Sequence, residues 1–260
     1  MKLRRLVWVV MALCLWGCRS LPPPAPPVAV TSAAELMARL QAGKPQVKSF
    51  AAKGRLTLLS PQRNYAGTSL IKGRLPATVR ADVLDFLGRS LLNFYTNGQE
   101  VQVLSPKEGK LYRGQATPGN LAAFIPPAMT LSQTLRLMVG DVPLSPGQAD
   151  RWAYEADQGR YLLEWRYPDG AVKERLWLEA RDLRPVQEEW RGPDGKIRFT
   201  AEFSDFGQLS PGLPGKIILK TPQPQAELRL VYHEILLNPA FQDSDLVVPR
   251  PPAVTEVPLK

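Results

Sequence analysis

The chain has 260 residues, a formal charge of +9 and 44% hydrophobic residues, enough for one large β domain or two small domains. A single histidine and two cysteines all but exclude a zinc or iron–sulfur site. The cations are scattered, with Arg160, Arg166, Lys173, Arg175, Arg181 and Arg184 set mostly among apolar neighbours, as on a solvated strand face and unlike a nucleic-acid-binding block.

At the start, Lys2, Arg4 and Arg5 precede an apolar run of 11 residues from Leu6 to Trp16. A spanning helix needs roughly 20 such residues, so this is the shape of an export signal that is later cut away. Gly17 then leads into Cys18. A cysteine after a small residue resembles the lipobox of bacterial lipoproteins, where the thiol is acylated and becomes the new N-terminus. Trp16 departs from the Ala, Ser or Thr usual in such boxes, and an ordinary signal peptide with a chance cysteine is the alternative. Removal of residues 1–17 takes Cys14 with it, leaves 243 residues, lowers the charge to +6 and makes Cys18 the sole thiol. No internal disulfide is then available, and lipid attachment gives the lone cysteine a use.

Residues 18–31 read as a lipidated cysteine and a Pro-rich spacer. The stretch Leu21 to Val30 carries five prolines, which lack the N–H that helices and sheet interiors require. As polyproline it would extend roughly 30 Å. Residues 32–248 form the body. Thr31 or Ser32 caps an expected helix with Leu36 and Leu40 at i, i+4 and Gly43 as its stop. A second helix follows Thr130 or Ser132, with Leu131, Leu135 and Met138 on one stripe and Gly140 at its end. A shorter turn covers 118–124.

The rest alternates like strands. Strands are expected near 48–59, 65–75, 78–85, 91–96, 99–104, 109–115, 151–156, 160–167, 171–179, 184–191, 196–206, 215–220 and 226–236. Asn97-Gly98, Asp169-Gly170 and Asp194-Gly195 are strong hairpin signals between them. The expected fold is mainly β: a curved antiparallel sheet whose apolar side is covered by two or three short helices. Parity places Phe50, Leu56 and Leu58 on one face of their strand, with Leu163 and Trp165, and Phe199, on the matching faces of theirs. Alternation alone does not separate a filled core from a lined cavity. The end of the chain, 249–260, holds four further prolines and reads as a loose tail.

Catalytic patterns are missing. There is no nucleophile elbow, phosphate loop or dinucleotide fingerprint. His233 lies on an expected strand beside Glu234, a surface or packing position. Glu188 and Glu189 are adjacent, so on a strand they point to opposite faces. Nothing here calls for an enzyme or a cofactor.

The order Val83-Leu84-Asp85-Phe86-Leu87-Gly88-Arg89-Ser90-Leu91-Leu92, the hairpin at Asn97-Gly98, Leu111-Tyr112-Arg113-Gly114, Phe124-Ile125-Pro126-Pro127 and Leu137-Met138-Val139-Gly140-Asp141-Val142-Pro143-Leu144 resembles the lipoprotein-localisation family of LolA and LolB. The likeness spans roughly residues 36–206 and is nearest to LolB, an outer-membrane receptor that is itself a lipoprotein. It implies a half-barrel closed by lid helices around an apolar cavity for the acyl chains of lipoproteins. Phe50, Leu56, Leu58, Ile71, Val83, Leu163, Trp165 and Phe199 would line that cavity, under lid residues Leu36, Leu40, Leu131, Leu135 and Met138. In LolB a loop of the pattern Asn-Pro-Leu-Gly projects a leucine toward the membrane. Its counterpart here is Asp85-Phe86-Leu87-Gly88, which makes Leu87 the projecting residue, with Phe86 in place of proline; a buried strand end is the alternative. The resemblance further implies a LolA-like carrier in the periplasm as partner. Arg19, which is not acidic, points by the same analogy to the outer membrane, facing the periplasm. A non-catalytic envelope lipoprotein serving as a partner-binding scaffold is the competing function.

Overall fold

The structure is a computed structural model and describes residues 26–259 apart from 45, 62, 63, 123, 127, 210, 211, 249 and 250. The expected signal peptide and Cys18 lie outside the described residues.

The chain first climbs through a meander of β1 (Ser49–Leu59), β2 (Asn64–Arg74), β3 (Thr78–Leu84), β4 (Ser90–Thr96), β5 (Glu100–Ser105) and β6 (Lys110–Gln115). It then crosses to the far edge of the sheet. From there β7 (Arg151–Glu155), β8 (Arg160–Arg166), β9 (Val172–Glu179), β10 (Pro185–Arg191), β11 (Ile197–Ser204), β12 (Lys216–Pro222) and β13 (Gln225–Leu237) return, and β13 pairs with β1 at the centre. One curved sheet results. It stays unclosed, as a half-barrel.

Among the described residues three short α-helices complete the fold: α1 (Ala33–Ala42), α2 (Pro118–Leu121) and α3 (Leu131–Leu137). Two of them, α2 and α3, lie in the connection between β6 and β7, which has to span the sheet from edge to edge. That route leads over the concave side, because the apolar rows there need covering. Ser32 Oγ accepts from Glu35 N at 3.1 Å to start α1, and Gly43 N donates to Arg39 O to end it. Thr130 and Gln133 cap α3 reciprocally, which satisfies donors that the first turn leaves free. Met138 is the C-cap of α3 rather than part of its body.

Alternation sorts the two faces. Across seven strands Leu163, Leu176, Glu188, Ala201, Leu219, Leu228 and Leu58 stand side by side facing the core. On the convex side the row reads Arg151, Glu164, Arg175, Glu189, Thr200, Lys220 and Glu227. Opposite charges across strands attract, and Arg175 Nε meets Glu164 Oε2 at 2.9 Å. Of the scattered cations of the sequence, Arg175 belongs to this row and Arg166 pairs with its Glu164.

Curvature is helped by a bulge where Lys53 faces Glu234 but Gly54 faces Tyr232, so that His233 is the extra, exposed residue. A Cβ on Gly54 would lie 2.2 Å from Val231 O; only glycine fits there.

Both ends of the body differ from expectation. The spacer is not free over its whole length: Val30 is buried and the Tyr161 hydroxyl donates to Val28 O, so the folded body begins by residue 28. The tail is not loose either. Just before it, Leu246 and Val248 bury against Tyr95, Leu104 and Leu111 in a second small core on the convex side. Arg74 Nη1 pairs with Asp243 at 2.8 Å, and Arg80 Nη1 donates to Val247 O at 2.9 Å. Beyond them β14 (Thr255–Pro258) adds in parallel to β6 as the edge strand. The prolines of 249–260 had suggested a tail with nothing to bury, but Val254 packs against this small core and β14 joins the sheet.

Candidate functional site: a roofed concave face and an exposed apolar tip

Phe50, Leu56, Leu58, Ile71, Val83, Leu163, Trp165 and Phe199 all belong to one continuous core, none more than 8% exposed. The same core contains Leu36, Leu40, Leu131, Leu135 and Met138 from the helices above. The residues named from sequence as lining and lid are thus brought together, with the helices seated against the sheet.

Few polar contacts hold the roof. Tyr232 Oη donates to Met138 O at 2.8 Å, and burial pushes the Tyr232 phenol up so that it stays a donor. Lys44 Nζ donates to Val142 O at 2.6 Å and pairs with Asp141 at 3.2 Å, and Asp141 also takes Arg136 at 2.7 Å. At the other side of the roof Phe124 packs on Phe94, with ring centroids 5.0 Å apart.

Antiparallel alternation puts the turns after β1, β3, β5, β8, β10 and β12 at one end of the sheet. The turn after β3 holds Phe86, 91% exposed, and Leu87, 63% exposed. They are not a buried strand end. Leu91, on the returning strand, is exposed as well. The turn keeps its shape through Asp85. Its Oδ1 accepts from Leu87 N at 2.8 Å and Arg89 N at 3.0 Å, and its Oδ2 takes Arg89 Nε at 2.7 Å. Desolvation opposes the Asp85 charge, yet the Arg89 and Leu87 hydrogen bonds prevail and hold the carboxyl below its usual range. Gly88 supplies the positive φ of 79°, which a side chain would disfavour.

Two pockets open at this same end. One, of about 420 Å³, lies between Ala128 of the roof and Tyr167, Trp190, Pro193 and Pro224 of the hairpin ends. The other, of about 970 Å³, is lined by Leu59, Lys196, Ile197, Lys220 and Gln225.

Sequence reasoning missed one feature. Glu189 points outward to Arg191 at 2.8 Å, as parity requires, but Glu188 faces the core and is 1% exposed. Glu174, two positions from Glu188's cross-strand partner Leu176, is 0% exposed on the same face. Burial pushes the Glu188 carboxyl well up, reinforced by Glu174 and opposed by Lys44 and Arg136. Burial also raises Glu174, against hydrogen bonds from Ser145 and Trp190. A glutamate at an inward parity position was the available signal. Among the described residues no group of three or more His, Cys, Asp or Glu side chains is placed to hold a metal.

No family model matches this sequence, and no curated protein matches it either. Solved structures do match in fold. A putative outer-membrane lipoprotein-sorting protein domain from Vibrio parahaemolyticus aligns over 83% of this chain and 97% of its own, at 13% identity and a TM-score of 0.50. A DUF1329 family protein from Desulfovibrio piger aligns over 83% and 95%, at 8% identity and a TM-score of 0.51. A LolA superfamily protein from Nitrosomonas europaea aligns over 84% and 99%, at 17% identity and a TM-score of 0.49. The shared feature is the half-barrel.

Proposed function

We propose that this chain is a membrane-anchored lipid-binding lipoprotein, held by Cys18, that accepts acylated lipoproteins at its apolar concave face and passes them into the outer membrane. The observation that carries the reading is the exposed Phe86-Leu87 tip, stapled by Asp85, at the end of the half-barrel where pockets open. Ordinary turns favour small and polar residues, and exposed apolar side chains grouped at a tip mark a membrane or partner contact.

Energetics favour transfer without ATP. The roof buries Leu36, Leu40, Leu131, Leu135 and Met138, worth about 10 kcal/mol together at about 2 kcal/mol each. A 16-carbon acyl chain is worth about 12 kcal/mol at 0.8 kcal/mol per CH₂. Exchange of roof for acyl chain is therefore close to balanced, and the chain can be released again to a bilayer. A LolA-like periplasmic carrier would supply the cargo. The sorting-domain match in Vibrio parahaemolyticus is consistent with this role, in which the protein binds and moves lipid and performs no covalent chemistry.

The test is reconstitution. A carrier loaded with a radiolabelled acylated lipoprotein is mixed with this protein in outer-membrane vesicles, and label in the bilayer is followed. Transfer that requires this protein supports the reading. Equal transfer without it defeats the reading.

A further inference from the structure

Trp165, Glu174, Trp190 and Phe199 follow one another across β8, β9, β10 and β11 on the concave face. Glu174 therefore stands between two tryptophans, and Glu188 lies diagonally beside it. Ser145 N and Trp190 Nε1 both donate to Glu174 Oε2, at 2.9 and 3.1 Å. Four buried polar atoms here have no hydrogen-bond partner among the described residues: Glu174 Oε1, Glu188 Oε2, Ser145 Oγ and Trp165 Nε1. Such groups are costly to leave unpaired, and a cluster of them calls for a reason.

The chemistry of the cluster selects its ligand. Trp165 Nε1 can only donate. Burial pushes the Glu188 carboxyl well up, and its protonated form supplies an O–H donor, while Glu174 Oε2 is already occupied as an acceptor by Ser145 N and Trp190 Nε1. Ser145 adds another hydroxyl. The set is rich in donors and asks for an acceptor oxygen. A cation fits poorly, because it would face the Trp165 N–H and the nearby charges of Lys44 and Arg136. The position adds a second constraint. Trp190 also lines the pocket of about 420 Å³ at the open end, while beyond the carboxyls the floor is Leu163, Leu176 and Leu178. The ligand has its acceptor toward the mouth and hydrocarbon toward the floor.

We propose that Glu174, Glu188, Ser145 and Trp165 form a subsite for the carbonyl oxygen of an acyl ester whose chain lies along the concave face. This rests on the acyl-binding reading above and names the part of the ligand that the protein recognises by hydrogen bonds. The ester comes either from the diacylglyceryl group of a lipoprotein or from a free glycerolipid.

The mature chain carrying Cys18→Ser is titrated calorimetrically with 1-decanoylglycerol and with 1-O-decylglycerol, the ether that lacks the carbonyl. The ester should bind about tenfold tighter, the worth of one or two buried hydrogen bonds. Glu188→Leu and Trp165→Phe should each reduce that preference to less than threefold, read as the ratio of ester to ether affinity within each variant. Glu188→Leu removes a buried carboxyl without leaving a new polar group, so it folds, and its melting curve is recorded alongside. Equal binding of ester and ether by the parent, or an undiminished preference in both variants, overturns the subsite and leaves the acyl reading standing. Failure of the parent to bind either compound overturns both. With a diacylglyceryl-cysteine peptide and a diacylglycerol as further ligands, tighter binding of the peptide assigns the ester to lipoproteins and tighter binding of the diacylglycerol assigns it to glycerolipids; either result retains the carbonyl site.

Discussion

Leu87→Glu separates a membrane-seeking tip from a structural one. Leu87 is 63% exposed and Phe86 91% exposed, so folding draws little on their burial. The substitution should shift unfolding free energy by no more than about 0.5 kcal/mol, as for other exposed surface sites. Insertion into hydrocarbon is another matter. Complete burial of a Leu or Phe side chain is worth about 1.5–3 kcal/mol. Scaled by the exposed fractions, the pair offers about 3–4 kcal/mol, or a few hundredfold in partition. Glutamate forfeits the leucine share and adds the cost of bringing a carboxylate to an apolar phase, so vesicle affinity should fall at least tenfold. The assay is co-sedimentation of the Cys18→Ser chain with phospholipid vesicles over a range of lipid concentration, with thermal melting in parallel. Undiminished sedimentation would show that the tip is idle. A steep fall in melting temperature would show that Leu87 is part of the core.

Leu246 is 2% exposed in the small convex-side core, so Leu246→Ala should cost about 2–4 kcal/mol; an unchanged urea midpoint would show that the C-terminal segment is a passive passenger. Glu188 gives a pH dependence whose sign is fixed. Burial raises its folded pKa well above the ordinary carboxylate value of about 4.3, so between the two the folded state holds a proton that the unfolded chain has lost. Its contribution to stability is full below that value and is lost as pH rises toward the folded pKa, at up to about 1.4 kcal/mol per pH unit. Glu188→Gln should flatten this decline, and parallel pH–melting curves for parent and variant would contradict it. Cys18 should carry lipid: mass spectrometry of the membrane-extracted protein is expected to show an acylated N-terminal cysteine, and a soluble product starting elsewhere counts against the anchor.

Most of the fold was legible because the sheet is built from local hairpins. Each strand from β1 to β13 falls on an alternating run closed by a turn, and Asn97-Gly98, Asp169-Gly170 and Asp194-Gly195 sit in three of those turns with positive φ at the glycine. The helices were legible from their caps. Thr130 with Gln133 and Ser32 with Glu35 mark α3 and α1 by chemistry that acts within four residues. What stayed hidden depends on partners distant in sequence. β14 pairs with β6 across 145 positions, as in Thr255 opposite Lys110, and no local pattern announces that. Glu188 and Glu174 read as ordinary polar positions until the turn between β9 and β10 sets their register. The bulge at Gly54 changes the inward parity of β13 between Tyr232 and Ile235, a slip that alternation cannot foresee.

The connectivity explains why tip, pockets and roof share a neighbourhood. A meander that starts at the centre of a sheet and ends at one edge must cross to the other edge before it can return to the centre. Here the crossing runs from Ala116 to Asp150 and carries α2 and α3 over the concave face. It rejoins the sheet at Asp150, whose N donates to Glu164 O and whose Oδ2 accepts from Arg166 N, at the end where β3 turns through Phe86 and Leu87. A roof that is a connection rather than a strand has no ladder to break when it lifts. Its restraints are apolar contacts, the Lys44–Asp141 ion pair and the few hydrogen bonds of Met138, Val142 and Ser145.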